Sequence, residues 1–214
     1  MLFYKERQIN NKSKYNDIVK TRLTGDALAV ILEGLSPDPY TGKFDHKKIS
    51  CECVGRKTEK RWCRCLVNSQ QKNLIKACET CDLKKTYAKP VENAVFVDFE
   101  VPVTNTKGVG EIDLIMEYNG KTYAVETKRP ESNESVLRMV AEIITYVYCS
   151  GKEMNKAIMF VKDSEQYCQW VGLKNGKDYK YKACDELRKI VKNNDIMVFC
   201  LEDSNDRYHV EILN

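Results

Sequence analysis

Residues 111–128 read EIDLIMEYNGKTYAVETK, and this stretch decides the fold. Its apolar residues alternate with polar ones on both sides of a turn, which predicts two strands, Glu111–Tyr118 and Lys121–Lys128. The Asn119-Gly120 pair between them is a strong hairpin signal, because both central residues of a two-residue turn need a positive φ. The stretch therefore predicts an antiparallel hairpin whose register is set by the turn.

The predicted register places four charged side chains on one face of the hairpin. Asp113 lies opposite Glu126, and Glu111 lies opposite Lys128, with paired Cβ atoms roughly 4.5–5.5 Å apart. Two facing carboxylates repel each other unless they share a cation, and hard oxygen ligands select Mg²⁺ or Mn²⁺ over zinc. A lysine beside that ion can hold or deprotonate a water, or neutralise a phosphorane. The face thus predicts metal-dependent phosphodiester hydrolysis.

An exposed sheet face with cross-strand salt bridges is the alternative interpretation of the same residues, and such faces are common. The acids lie deep in their strands, beside Ala124 and Val125, and they face each other directly. Both features favour the metal site. The opposite face of the hairpin is apolar and is predicted to join the core through Ile112, Leu114, Met116, Tyr123 and Val125.

The segments Gly110–Ile115 and Ala124–Lys128 resemble the motif of the PD-(D/E)xK nuclease superfamily. In that superfamily an Asp starts the second core strand and an (Asp/Glu)-x-Lys ends the third. The resemblance implies a restriction-endonuclease-like fold, with Asp113 and Glu126 as ligands of Mg²⁺ or Mn²⁺ and Lys128 as the catalytic lysine. No proline stands beside Asp113, and that proline is often missing from the motif.

The helix predicted over Glu134–Cys149 resembles the RecB-like exonuclease branch of this superfamily, whose members carry Gln-x-x-x-Tyr there. Glu142 and Tyr146 have that spacing, with Arg138 one turn earlier on the same face. The resemblance implies DNA contacts from Tyr146 and Arg138, and it favours an exonuclease over an endonuclease. Glu replaces Gln in this chain, so an ordinary polar helix face is the alternative.

A further metal ligand is predicted outside the hairpin. Glu100 ends the strand predicted over Ala94–Val103 and is the first candidate. Glu33, near the end of a helix predicted over Asn16–Leu35, is the second, since other branches use a helix Glu; a solvent-exposed Glu33 is the alternative. RecB-like proteins often carry a metal-binding His on the first helix, whereas His46 lies outside it.

Six of the ten cysteines fall in a short segment, which predicts a metal-binding insert at residues 40–85. A disulfide framework explains them poorly, because residues 1–10 show no secretion signal. Zinc is favoured over an iron–sulfur cluster, because the clusters of RecB-like nucleases usually join one cysteine before the core to three after it. Two strands, Lys47–Val54 and Arg61–Val67, are predicted to form a hairpin within the insert. The predicted ligands are Cys51, Cys53, Cys63, Cys65, Cys78 and Cys81.

Six thiolates exceed the four that one tetrahedral zinc needs, so two are spectators or more than one metal binds. Free buried cysteines are the alternative. Residues 41–90 also hold 13 Lys and Arg against 5 Asp and Glu, although the whole chain has 35 against 31. Arg61 and Arg64, beside Trp62, are predicted to clamp DNA there, with a solvated charged surface as the alternative.

The remaining pattern predicts one α/β domain, residues 1–214, in which helices flank a mixed central sheet. Further strands are predicted over Ala157–Val161, Ile196–Leu201 and Tyr208–Leu213, and a helix over Lys180–Asn193. No apolar run approaches the roughly 20 residues of a membrane span, and a cytoplasmic protein is expected.

The function predicted from these features is Mg²⁺-dependent hydrolysis of DNA, as a deoxyribonuclease that favours ends. DNA is the expected partner, and a helicase or recombination protein is a possible second one. The alternative is a non-catalytic, zinc-stapled module that binds nucleic acid or serves as an adaptor.

Overall fold

The computed structural model describes residues 2–42, 59–70, 89–204 and 206–213. Two short 3₁₀ helices, Phe3–Lys5 and Arg7–Asn10, open the chain. The α-helices are α1 (Tyr15–Arg22), α2 (Ala27–Ile31), α3 (Glu59–Gln70), α4 (Val136–Ser150), α5 (Glu165–Val171) and α6 (Asp185–Asn193). The strands are β1 (Val95–Pro102), β2 (Glu111–Tyr118), β3 (Lys121–Thr127), β4 (Asn155–Val161), β5 (Leu173–Lys174), β6 (Lys177–Asp178), β7 (Ile196–Ser204) and β8 (Arg207–Ile212).

Six strands form one mixed sheet in the order β1-β2-β3-β4-β7-β8, and β5 pairs with β6 in a separate small hairpin. The central pairs β3–β4 and β4–β7 are parallel, and the other pairs are antiparallel. Neighbouring residues such as Ala124 and Val125 belong to two different buried clusters, because successive side chains point to opposite faces. Helix α4 covers one face and α3 packs on the other. The predicted mixed sheet flanked by helices is confirmed.

The β2–β3 hairpin has the register that the turn predicts. Tyr118 pairs with Lys121, and the ladder runs without a shift to the pair Leu114 and Val125. Beyond that pair the ladder ends, and the backbone N–H of Thr127 donates to Asp113 Oδ2 at 3.0 Å. The hairpin therefore opens at the end that carries the acids, while β3 continues alongside β4.

Strand β1 departs from the predicted alternation. Within the strand predicted over Ala94–Val103, the alternation of Val95, Val97 and Phe99 predicts that these three share one face. In the structure Val95 is exposed and Phe96 is fully buried. A bulge between Phe96 and Asp98 shifts the register by one residue. An extra residue in one strand reverses the faces of all residues before it, so the prediction was wrong at Val95.

The strand predicted over Arg61–Val67 is wrong, because those residues belong to α3. Four residues of α3 are buried and pack against the sheet: Trp62, Cys63, Leu66 and Val67. They lie one, three or four positions apart in sequence, as residues on one face of a helix do. Of the predicted 40–85 insert, the structure describes residues 40–42 and 59–70. Outside the described residues lie Cys51, Cys53, Cys78 and Cys81.

The first predicted helix, Asn16–Leu35, is two helices, since the backbone turns at Gly25, where φ is +103°. The later predicted helix, Lys180–Asn193, begins only at Asp185. Helix α5 and the β5–β6 hairpin were not predicted. None of the helices that the structure describes is both long enough and apolar enough to cross a membrane.

Candidate metal centre

Lys128 lies at the centre of the site and is 3% exposed. Five carboxylates of the described residues surround its ammonium group within 4 Å. Glu126 Oε1 is the nearest. The other contacts to Lys128 Nζ are Glu59 Oε1 at 3.0 Å, Glu142 Oε2 at 3.2 Å, Glu134 Oε2 at 3.5 Å and Asp113 Oδ2 at 3.8 Å.

Four separate elements bring these acids together. Asp113 comes from β2 and Glu126 from β3, at the open end of their hairpin, and Glu59 comes from α3, which packs on the face of the sheet at β1. Glu142 comes from α4, and Glu134 precedes that helix. Helix α4 starts at this edge because the Ser135 side chain caps it, with Oγ accepting from the N–H of Arg138 at 3.2 Å.

The charges of this cluster do not balance. Arg138 adds a second cation, with Nε 3.0 Å from Glu142 Oε1 and Nη1 2.7 Å from Glu134 Oε1. Five carboxylates against Lys128 and Arg138 leave three negative charges. Buried charge of one sign is costly unless it is compensated, so the cluster requires further cations or bound protons.

The positions of three acids fit a divalent cation. Glu59, Asp113 and Glu126 each offer an oxygen, and these oxygens lie within 4.8 Å of one another. Glu126 Oε2 is buried and finds no hydrogen-bond partner among the described residues. An all-oxygen carboxylate set suits Mg²⁺ or Mn²⁺ better than zinc. The residues present therefore fit the hard cation that the sequence predicts.

The protonation of the cluster reflects the same imbalance. Burial raises the pKa of Glu126 well above its usual range, and the Asp113 carboxylate adds to the effect. Burial also raises the pKa of Asp113, and it raises the pKa of Glu59 to about 7 against the opposing pull of Lys128. Burial would lower the pKa of Lys128, but Glu126, Asp113 and Glu142 outweigh it and raise that pKa well above normal.

The structure brings Asp113, Glu126 and Lys128 together as predicted, but it places the other predicted ligands elsewhere. Glu100 lies beside Lys60, with 3.2 Å between Oε1 and Nζ, and is outside the group of three acids. Glu33 is exposed beyond the end of α2.

The predicted pair of Glu111 with Lys128 does not form, because the β2–β3 ladder ends before it. The Glu111 carboxylate instead accepts from Lys60 Nζ at 2.8 Å.

The residues predicted to contact DNA occupy two helices. On α4, Tyr146 is only 6% exposed and packs edge-on against Tyr4, with 5.7 Å between ring centroids. On α3, the Arg64 guanidinium lies 5.5 Å from the Phe99 ring centroid. Arg61 also lies on α3, two residues after Glu59, and it is half-buried.

Cys63 and Cys65 also lie on α3, and both are buried. Two residues apart on a helix, they point in different directions rather than sharing the face that a strand would give them. Burial raises the pKa of the Cys63 thiol well above normal, and Asp113 and Glu59 contribute. Zinc binding by the cysteine segment stays a prediction.

Sequence reasoning missed Glu59 and Glu134, and it assigned Glu142 only by resemblance. Glu59 begins the described part of α3, three residues before Trp62. The helical spacing of Trp62, Cys63, Leu66 and Val67 was a signal for α3, but the alternating cysteines were interpreted as a strand.

Comparisons with known proteins add little to this geometry. No family model matches the chain, and no curated protein matches it. Among solved structures, the chain is similar to SfsA of Pyrococcus furiosus in complex with Ca²⁺, with 16% identity and a TM-score of 0.27. The match covers 56% of this chain and 53% of that one, so it spans about half of each. A likeness at this TM-score assigns neither a fold family nor an activity.

Mg²⁺ or Mn²⁺ is expected to raise the melting temperature, more at pH 8 than at pH 6. A ligand at about 100 times its Kd stabilises by about 2.7 kcal/mol, which is roughly 5–10 °C for a chain of this size. The ion binds deprotonated carboxylates, and Glu59 has a pKa of about 7, so protons compete below that pH.

In EDTA the trend with pH reverses. A raised carboxyl pKa means that the folded state binds more protons than the unfolded state, so stability falls as pH rises from about 4.5 through 7. Thermal melts across pH 5–8 with and without metal measure both trends. A metal effect equal at pH 6 and pH 8 would contradict this assignment of Glu59.

Proposed function

We propose that the chain is a metal-dependent nuclease that hydrolyses DNA phosphodiester bonds. The observation that carries the proposal is the group of Glu59, Asp113 and Glu126 beside buried Lys128. A charged outer sheet face would leave these residues in water, whereas Glu126 is 1% and Lys128 3% exposed. Clusters of buried ionisable groups with shifted pKa values are common at functional sites, and a bound divalent cation would offset the surplus negative charge of this one.

Each residue has a distinct role in the proposed reaction. Glu59, Asp113 and Glu126 would hold Mg²⁺ or Mn²⁺, which lowers the pKa of a bound water and takes up charge on the phosphate. Lys128, held as an ammonium by its carboxylate neighbours, donates hydrogen bonds to the attacking water or to a phosphoryl oxygen. Glu134 and Glu142 position Lys128 by direct ion pairs. Arg138 in turn fixes those two acids.

The proposed substrate is DNA, and we expect cleavage from DNA ends rather than at internal positions. Arg61 and Arg64 supply positive charge on α3, the helix that carries Glu59, and positive charge suits a DNA backbone. The i, i+4 pair of Glu142 and Tyr146 keeps the likeness to the exonuclease branch, although buried Tyr146 has little surface for DNA. A helicase or recombination partner, and zinc in the cysteine segment, belong to the same proposal.

The Asp113→Asn variant is expected to lose cleavage by at least about 10³-fold, since several kcal/mol of metal-derived stabilisation is lost and each 1.4 kcal/mol is tenfold. The assay compares linear and circular DNA in Mg²⁺, Mn²⁺ or EDTA. The matched control is Asp195→Asn, an exposed residue whose φ of 52° asparagine tolerates. Cleavage of linear DNA alone supports an exonuclease. If the wild type cuts no DNA, or if the Asp113→Asn variant cuts it equally well, the proposed catalysis at this site is wrong. The alternative function, a non-catalytic module that binds nucleic acid or serves as an adaptor, would then be favoured.

A further inference from the structure

The small hairpin made by β5 and β6, with the residues that follow it, is an exposed basic surface. We call residues 173–182 the basic hairpin; they read LKNGKDYKYK. Ten residues carry four lysines and one aspartate, and the lysine residues are all exposed. Residues 91–172, which precede it, hold 13 acidic and 8 basic residues. The positive charge is therefore concentrated locally, outside the cysteine-rich segment.

The basic hairpin is held firmly to the domain. Its turn is Asn175-Gly176, with φ values of 52° and 72°, as a two-residue hairpin turn requires. Tyr179 donates its hydroxyl hydrogen to Glu165, and its N–H donates to Gly172 O at 2.8 Å. The Tyr15 hydroxyl donates to Tyr181 O. These contacts hold the basic hairpin against α5 and α1.

Two of the four lysines face each other, and the charge of the four is only partly compensated. Lys174 pairs directly across the hairpin from Lys177, and like charges directly opposite are destabilising. Lys174 is partly compensated by Glu165, at 3.1 Å. Lys177, Lys180 and Lys182 make no ion pair with any residue that the structure describes. An anion with several negative charges would relieve this repulsion.

The basic hairpin lies at the same edge of the sheet as the metal centre. Because β4 runs parallel to β3, the end of β4 at Val161 lies at the edge that carries Lys128. Helix α5 begins there, and Gln166 Nε2 donates to the carbonyl oxygen of Glu134 at 2.9 Å. The adjacent Glu165 binds Lys174. One chain of contacts thus joins the basic hairpin to an acid of the centre.

The sheet order places the metal centre between two basic elements. Helix α3 packs over β1 on one face of the sheet, and α5 packs near β4 on the other face. The candidate centre lies between them along the sheet, at the start of β2 and the end of β3. We propose that the basic hairpin binds the sugar–phosphate backbone of DNA on the side of the centre opposite α3, a few nucleotides from the cleaved bond. This inference rests on the proposed function for its substrate, and it adds a binding element that holds the strand in place.

The test is DNA binding by a triple variant with Lys177, Lys180 and Lys182 each changed to Gln. The control triple variant changes Lys121, Lys152 and Lys156 to Gln, which removes equal charge at the opposite end of β3 and β4. Both are made in the Asp113→Asn background, so that DNA is not cut. Fluorescence anisotropy with labelled linear duplex and single strands in Mg²⁺ gives the Kd at several salt concentrations.

The hairpin variant is expected to bind DNA roughly tenfold more weakly at low salt. The slope of log Kd against log salt concentration should also be smaller by about 2, because each lost phosphate contact lowers that slope by about 0.7–0.9. The control should match the Asp113→Asn protein. Equal binding by both triple variants, or no DNA binding by the Asp113→Asn protein, overturns the inference. If the wild type fails to cut DNA but only the hairpin variant binds weakly, the inference stands and the proposed function fails.

Discussion

The Lys128→Met variant is expected to lose about 3 kcal/mol of folding free energy at pH 8 in EDTA, together with at least about 10²-fold in cleavage. Removing one partner of a buried ion pair costs about 3–5 kcal/mol, because the other charge stays buried without compensation. Lys128 is the shared cation of five carboxylates. The loss of activity follows because a donor aimed at developing phosphate charge is worth about 10²–10³-fold.

Thermal melts check the stability part of this prediction. A loss of 3 kcal/mol lowers the melting temperature by roughly 6–12 °C for a chain of this size. The loss should shrink at pH 5, where the acids take up protons, and Mg²⁺ should restore part of it. The control is Lys152→Met, an exposed lysine at the far end of the sheet. An unchanged melting temperature for Lys128→Met at pH 8 would show that the acids do not depend on this lysine.

The Glu126→Gln variant should separate activity from stability. Cleavage is expected to fall by at least about 10³-fold, because a metal ligand is lost. The free energy of unfolding in EDTA at pH 8 is expected to rise, since a raised pKa means that the charged form of the carboxylate is disfavoured in the folded state. Burial and Asp113 raise the pKa of Glu126, and Lys128 keeps its other acid partners in the variant.

Glu153→Gln provides the comparison, because Glu153 is exposed at the opposite edge of the sheet. That variant should leave both the cleavage rate and the melting temperature unchanged. Adding Mg²⁺ should stabilise the wild type more than the Glu126→Gln variant. The difference between their melting temperatures in EDTA should therefore shrink or change sign in Mg²⁺. A Glu126→Gln protein that melts well below the wild type in EDTA would mean that Glu126 serves structure rather than metal binding.

The hairpin was the most predictable part of the molecule, because its information is local. Asn119 and Gly120 demand a tight turn, and that turn determines every pair from Tyr118–Lys121 to Leu114–Val125. Extending this register by one pair predicts that Asp113 lies near Glu126, and the two stay close although the observed ladder stops at Leu114–Val125. The end of the ladder was not predictable in this way, because Thr127 N–H binds the Asp113 side chain where a pattern expects continued strand pairing.

The third acid of the candidate metal centre is brought into place by long-range packing. Glu59 is more than fifty residues from Asp113 in sequence, and only the docking of α3 against β1 brings them together. The sequence offered Glu100 for this role on a strand, but Glu100 pairs with Lys60. The alternating cysteines favoured a metal-binding strand, although Trp62 and Leu66 have the spacing of one helix face and are both buried.

The bulge in β1 and the small β5–β6 hairpin show a second limit of sequence patterns. One extra residue at a bulge reverses the alternation, as Val95 and Phe96 demonstrate, and no periodic signal announces it. The segment around Asn175-Gly176 contains the same turn dipeptide as the main hairpin, but its strands have two residues each. Strands that short carry too few residues for a periodicity to be recognised.

Glu59, Asp113 and Glu126 are expected to hold one divalent cation together, beside Lys128. Titration with Mn²⁺, followed by the electron paramagnetic resonance signal of the free ion, measures this directly. The wild type and Asp195→Asn are predicted to bind one Mn²⁺ per chain at this centre, with affinity rising from pH 6 to pH 8, and Asp113→Asn is predicted to lose that binding. Wild-type protein that binds no Mn²⁺, or Asp113→Asn protein that binds it equally well, would show that Glu59, Asp113 and Glu126 do not form a metal site.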